Sequence, residues 1–386
     1  MFRNEIEEHL RDKLLPFWEN LEDRTHGGFF GLVDRDLRIW PEADKGCILH
    51  ARILWTFSTA ARILKDASLL EYADHAYHSL SMFEDPVNGG YFWSVTHDGK
   101  PSDTSKHTYC QAFVIYGLAS YSRLTGSAEA LRKAEALFRT VSSRCTVHNG
   151  YGEAYRSDFS PESNEKLSEN GVLASRTMNT LLHVLEACAE LYRAGGNEEV
   201  RQAGIRILER FLGSLYNPEK HRLEVFLDDT YRPLLDMQSY GHDIEASWLV
   251  WDAAEAFLPE DDLPPYRAMC LDLARSVTER AFTDHGLLNE CVNGVNDCQL
   301  VWWVQAETVL GFVNALQLTG EPVWGDRVLK EWDAILAKIV DPRPGGEWYW
   351  SVLEDGSFTG PVAGEWKCPY HNGRMCLRVL EADPNL

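Results

Sequence analysis

Three stretches of this chain carry one signature: GGFFGLVDRD at residues 27–36, GGYFWSVTHDG at 89–99 and GGEWYWSVLEDG at 345–356. Looser copies lie around Asn149-Gly150, His221-Arg222 and His285-Gly286. The copies recur roughly every 60 to 70 residues, and a fixed period of that kind marks a repeat architecture. Within a copy, the alternation Tyr91-Phe92-Trp93-Ser94-Val95 reads as a short strand or hairpin. After each copy comes a run that is apolar around most of its circumference, clearest at 47–64, 109–124, 180–193 and 301–318. A helix apolar on every side is buried on every side. Between these runs lie amphipathic ones, at 69–83, 128–143 and 198–215, which leave one face for water. Six inner and six outer helices, the chain starting with an outer one, predict an all-α (α/α)6 barrel with short β-hairpins between repeats. Gly126, Gly196 and Gly320 stand where inner helices should end in left-handed caps. The longest irregular piece, 155–175, is expected to be a loop over the mouth of the ring.

A chain of 386 residues suggests two or three domains by length alone. A closed ring of six units overrides that, so residues 1–386 are expected to form a single domain. An apolar fraction of 45% with 13 Trp, 15 Tyr and 16 Phe suffices for a large core. The formal charge of −22 argues against nucleic acid and anionic membranes as partners, because both demand clustered Lys and Arg. No apolar span approaches the ~18 residues needed to cross a bilayer. The start, MFRNEIEEHLRDKLLPFWENL, carries acids throughout and reads as an amphipathic helix and not as a signal peptide. Nine cysteines with no CxxC pair, several inside apolar runs, fit a reduced cytoplasmic protein. Composition leaves the oligomeric state open between a monomer and a weak dimer.

Near the head of each inner run stands an unusual residue: Arg52, Tyr109, Asn179 with His183, His242 with Glu245, Trp303, and Trp366 with His371. One histidine in an apolar helix is usually a satisfied core residue, and most of the aromatics are core packing. Three histidines at the same station of a ring are better explained by a shared site. Two chemistries suit them. Three imidazoles with Glu245 would be adequate for zinc or manganese, but no HxH or HExxH spacing accompanies them, and no metal is expected. The alternative is proton transfer, for which imidazole is suited near neutral pH. Two histidines on the two faces of one carbon would make an epimerase. Glu245, three residues after His242, is expected to orient that imidazole. Arg52 should either pair with an acid such as Glu245 or face a ligand oxygen, where it would stabilise an enolate. Tyr109, Trp303 and Trp366 offer flat faces for sugar rings, pointing to a carbohydrate substrate. A hydrolase would instead use paired carboxylates, with Glu245, Glu307 and Glu365 as candidates, and would leave the histidines unexplained.

At these residues the chain resembles the N-acylglucosamine 2-epimerase family, in particular its cellobiose-epimerising branch. The matching stretches are 45–58 (KGCILHARILWTFS), 103–118, 168–171 with 178–187 (SENG and MNTLLHVLEA), 239–249 (SYGHDIEASWL), 301–320 and 364–376 (GEWKCPYHNGRMC), nearly end to end. The resemblance implies a catalytic (α/α)6 barrel that epimerises C2 of the reducing-end glucose in β-1,4-linked disaccharides without a cofactor. It also implies that His242 and His371 are the acid/base pair, with His183, Arg52 and Glu245 supporting. Tyr109, Asn179, Trp303 and Trp366 would hold the sugar. Family members that are monosaccharide aldose–ketose isomerases or act on N-acylglucosamine keep those alternatives open, and a non-catalytic carbohydrate-binding barrel is a further one.

Overall fold

The computed structural model describes residues 2–148 and 150–382; Asn149, in the third glycine–aromatic copy, lies outside the described residues. Its helices alternate as the hydrophobic pattern requires. The outer set is α1 (Phe2–His9) with α2 (Leu15–Glu19), α4 (Leu70–Ser79), α6 (Ala128–Arg144), α8 (Glu198–Arg210), α10 (Pro264–Ala281) and α12 (Pro322–Ala334). The inner set is α3 (Cys47–Leu64), α5 (Thr108–Thr125), α7 (Met178–Gly195), α9 (Tyr240–Phe257), α11 (Trp302–Thr319) and α13 (Tyr370–Glu381). Each inner helix packs on the next, and α13 packs back on α3, so the chain is an (α/α)6 barrel. In α3 and α5 every residue of the first four turns is buried, whereas in α8 only Val200, Ala203, Gly204, Ile207 and Leu208 are. This is the contrast between all-round apolar and amphipathic runs, expressed as two concentric layers.

Gly126, Gly196 and Gly320 cap α5, α7 and α11 with φ near +70°, as their positions predict. Short strands sew the repeats together at one end of the ring. The residues just before each inner helix pair antiparallel with the glycine–aromatic stretch of the next repeat. The pairs are Lys45–Gly46 with Ser94–Val95, Lys106–His107 with Ala154–Tyr155, and Arg176–Thr177 with Phe226–Leu227. Met237–Ser239 joins Glu290–Val292, and Leu300–Val301 joins Ser351–Val352. The bridge between Val33 and Ala363 closes the circle.

A second device, repeated in four of the six units, fixes the stretch to its own inner helix. A backbone N–H of the stretch is accepted by a side chain one turn into the helix: after a glycine, Phe29 by His50 Nε2 (3.0 Å), Tyr91 by Gln111 Oε1 (2.8 Å) and Leu287 by Gln305 Oε1 (2.9 Å), and after Arg222, Leu223 by Asp243 Oδ1 (2.9 Å). This approach explains the glycines. A Cβ on Gly28 would stand 2.7 Å from His50 Nε2, and Gly28 also needs φ +70°. The strands and the heads of the inner helices therefore form one rigid rim.

Candidate active site

Arg52, Tyr109, Asn179, His183, His242, Glu245, Trp303, Trp366 and His371 all line one cleft of about 320 Å³ at that rim. The ring thus brings together all nine residues singled out from sequence. The expected loop lies over the same cleft, to which it contributes Lys166, Leu167 and Glu169. Lys166 is tied across to Asp103 (2.6 Å). Trp303 lies between two of the imidazoles, its ring 4.9 Å from His242 and 5.6 Å from His371. Tyr109 meets Trp366 at 5.9 Å and His183 edge-on at 5.1 Å. Aromatic faces and imidazoles therefore alternate around the opening.

Below the cleft lies a buried charge network that the sequence reading missed. Arg374, fully buried, donates through Nη2 to Glu245 Oε1 (2.6 Å) and Glu307 Oε1 (2.7 Å), and through Nη1 to Glu186. Two of the cleft histidines hang from this network. His371 Nδ1 sits 2.6 Å from Glu307 Oε1, and His183 Nδ1 sits 3.0 Å from Glu186 Oε2. Glu307 also accepts from the Trp248 indole (2.9 Å), so all its contacts are donors and His371 carries its proton on Nδ1. That tautomer leaves the basic lone pair on Nε2.

The expectation that Glu245 orients His242 is corrected. His242 Nδ1 meets Ser239 Oγ at 2.8 Å, while Glu245 turns to Arg374 and lies 4.0 Å from His183 Nε2 and 3.8 Å from His371 Nδ1. Three residues along a helix share a face in general, but the buried guanidinium outbids a neutral imidazole for the carboxyl. Burial and the neighbouring charge of Glu307 push the Glu245 carboxyl well above its ordinary value. For Glu186, burial works upward, but Arg374 and the His183 bond prevail and hold it down at about 2. Burial, then the charge of His183, lowers His242 to about 3; burial, Arg374 and Arg52 drive His371 well below its ordinary value. Both imidazoles are therefore held in the neutral form.

The donor atoms of Glu245, Glu307 and His371 come close enough together to hold one metal ion. Arg374 Nη2 already bridges the two carboxyls, so this cluster carries its cation within the chain. The same engagement removes Glu245 and Glu307 as a free carboxylate pair of the hydrolytic kind. Arg52 resolves the other way. It is 2% exposed, donates to Tyr109 Oη (2.7 Å) and stacks over Phe113 at 4.0 Å, yet no carboxylate among the described residues pairs with it. Its Nε and the Asn179 Oδ1 are buried without a partner. Orphaned polar atoms on side chains that line a cleft mark where a polar ligand belongs.

Arg374 and Ser239 were findable. Arg374 stands three residues after His371 and is followed by the apolar Met375, Cys376 and Leu377, and Ser239 occupies the N-cap position before α9, where its Oγ accepts from the His242 N–H. Away from the cleft, His9 is half-buried under Trp348, whose indole donates to its Nε2 (2.9 Å), and burial lowers it to about 4.

A barrel with this rim of imidazoles and tryptophans is an enzyme of the carbohydrate epimerase and isomerase class. Residues 28–373 match the model of the N-acylglucosamine 2-epimerase (GlcNAc 2-epimerase) family, and the chain belongs to that family. It is 44% identical to a cellobiose 2-epimerase of Eubacterium cellulosolvens, over 98% of each chain. Among solved structures it resembles a cellobiose 2-epimerase from Bacillus thermoamylovorans (TM-score 0.95, 40% identity, 98% of this chain and 99% of that one). A sugar epimerase from a ruminal bacterium is similar as well (TM-score 0.97, 41% identity, 99% of this chain and 100% of the other).

Proposed function

We propose that this enzyme epimerises C2 of the reducing-end glucose of β-1,4-linked disaccharides, converting cellobiose to glucosyl-mannose and lactose to epilactose without a cofactor. The observation that carries this reading is a pair of neutral imidazoles, His242 and His371, facing one cleft, each with Nδ1 engaged by its own partner. The activity named for the relatives supports it, as do the aromatic faces that suit pyranose rings.

In the proposed course, the reducing-end ring opens by proton movement between O1 and O5. His371 Nε2 removes the C2 proton of the open aldehyde, and the resulting enediolate is stabilised by Arg52. Rotation about C2–C3 presents the other face, to which His242 delivers a proton. The low values suit the base. When the enediolate's negative charge forms beside His242, that imidazole takes up a proton from solvent and becomes the acid, since an adjacent opposite charge favours the protonated state, and His371 returns to solvent the proton it removed from C2. Tyr109 and Asn179 hold hydroxyls, Trp303 and Trp366 stack the sugar, and His183 and Glu245 complete the polar floor.

Residues 1–386 are proposed to act as one catalytic domain. No helix among the described residues is long and apolar enough to cross a membrane. All nine cysteines are free, which is the state expected in a reducing compartment, and a cytoplasmic location is proposed on that ground.

Proton NMR of the purified protein with cellobiose in D2O, without metal or nucleotide, tests the proposal. Deuterium at C2 together with glucosyl-mannose is the expected result. Exchange with a ketose as the main product would assign an isomerase instead. Exchange on mannose or N-acetylglucosamine but not on cellobiose would assign a monosaccharide substrate, and binding with no exchange would assign a lectin-like role.

A further inference from the structure

Four of the six repeats share a rule that the third, with Leu181 at the fourth position of α7, and the sixth both break. His50, Gln111, Asp243 and Gln305 each occupy the fourth position of their inner helix and accept the N–H from the glycine–aromatic stretch. In α13 that position is Gly373, which has no side chain to offer. The equivalent N–H, that of Trp348, is accepted instead by the carboxylate beside it, Glu347. The α13 head also has no side-chain cap of its own. Yet this is the segment that carries His371 and Trp366.

Glu347 is fully buried and lines no part of the cleft. Its Oε1 accepts from Asn372 Nδ2 (2.6 Å) and from the Trp18 indole (3.3 Å). Its Oε2 accepts from the ammonium of Lys367, also fully buried. Lys367 follows Trp366 in the chain, and Asn372 follows His371. That ammonium lies 4.1 Å over the ring of Trp302, which in turn meets His371 edge-on at 5.2 Å. One carboxylate therefore grips the residue next to each of two cleft side chains, and supports His371 a second time through Lys367 and Trp302.

We infer that Glu347 is a positioning residue for His371 and Trp366, replacing with its own side chain the helix-to-rim bond that Gly373 cannot make. The inference rests on the two-histidine reading above. His242 is held separately, by Ser239 at the N-cap of α9, so loss of Glu347 should disturb one face of the reaction and spare the other. Misplacement of a catalytic group by about 1 Å costs on the order of 10²-fold.

The test measures deuterium wash-in at C2, before net turnover and at saturating substrate so that the KM effect of Trp366 drops out, separately from the glucose- and the mannose-configured disaccharide. In Glu347→Gln, wash-in from one epimer should fall by about 10²-fold, while that from the other stays close to wild type. Equal loss from both epimers would show general loosening and overturn the inference, as would unchanged rates from both. Should Glu347→Gln fail to fold, Asn372→Ala cuts only the tie to the His371 helix and should give the same asymmetry in weaker form; a symmetric change there overturns it too. If the wild-type enzyme exchanges neither epimer, the proposed function itself fails and takes this inference with it.

Discussion

Two arginines lie inside this barrel, and they are opposites. Arg374 is surrounded by three carboxyls, Glu186, Glu245 and Glu307, and by the Tyr370 hydroxyl. Among the described residues, Arg52 meets a phenol, a thiol and aromatic faces, and no carboxylate. A buried guanidinium without an anion is costly, so the chain tolerates at Arg52 an expense that it avoids at Arg374. The difference lies in the partners: one charge is neutralised by carboxyls of the protein, while the other lines the cleft with no carboxylate among the described residues paired to it.

The comparison breaks first at its structural pole. Arg374→Leu should leave three buried carboxyls without their cation and destabilise the fold by about 3–5 kcal/mol, read as a fall in Tm and in the urea midpoint. Arg52→Leu should do the reverse, leaving Tm unchanged or raised while kcat falls by about 10²- to 10³-fold. Equal loss of stability in both variants would mean that Arg52 is scaffold as well. His242→Ala removes a proposed acid/base group held by a serine alone, so turnover should fall by about 10²- to 10⁴-fold with little change in Tm; near-normal epimerisation would end the two-base scheme. Trp366→Ala should act mainly on KM, through lost stacking on the sugar.

A further expected effect is electrostatic. Glu245 rises from an ordinary 4.5 to about 8 on folding. A group whose folded value is raised gives its full stabilisation below the unfolded value and loses it as pH rises through the folded one. Tm of the wild type should therefore drop between pH 5 and 8 by more than that of Glu245→Gln, in which this contribution is absent. Parallel curves would show that Glu245 is ionised throughout and that Arg374 holds two carboxylates at neutral pH.

The period of the glycine–aromatic copies and the alternation of all-round and one-sided apolar helices determined the ring by themselves, because burial on one or both sides is written directly in hydrophobic periodicity. The station of each site residue followed too, since position along a helix is local information and a ring maps equal positions to one rim. Which side chain would partner which was decided only by the tertiary structure. Glu245 shares a helical face with His242, yet the buried charge of Arg374, 129 residues away, draws it off. Arg52 finds no acid although several lie inside the barrel. Charge pairing depends on distances across the ring between helices far apart in sequence, and on which groups lose their water, and neither quantity is contained in local pattern.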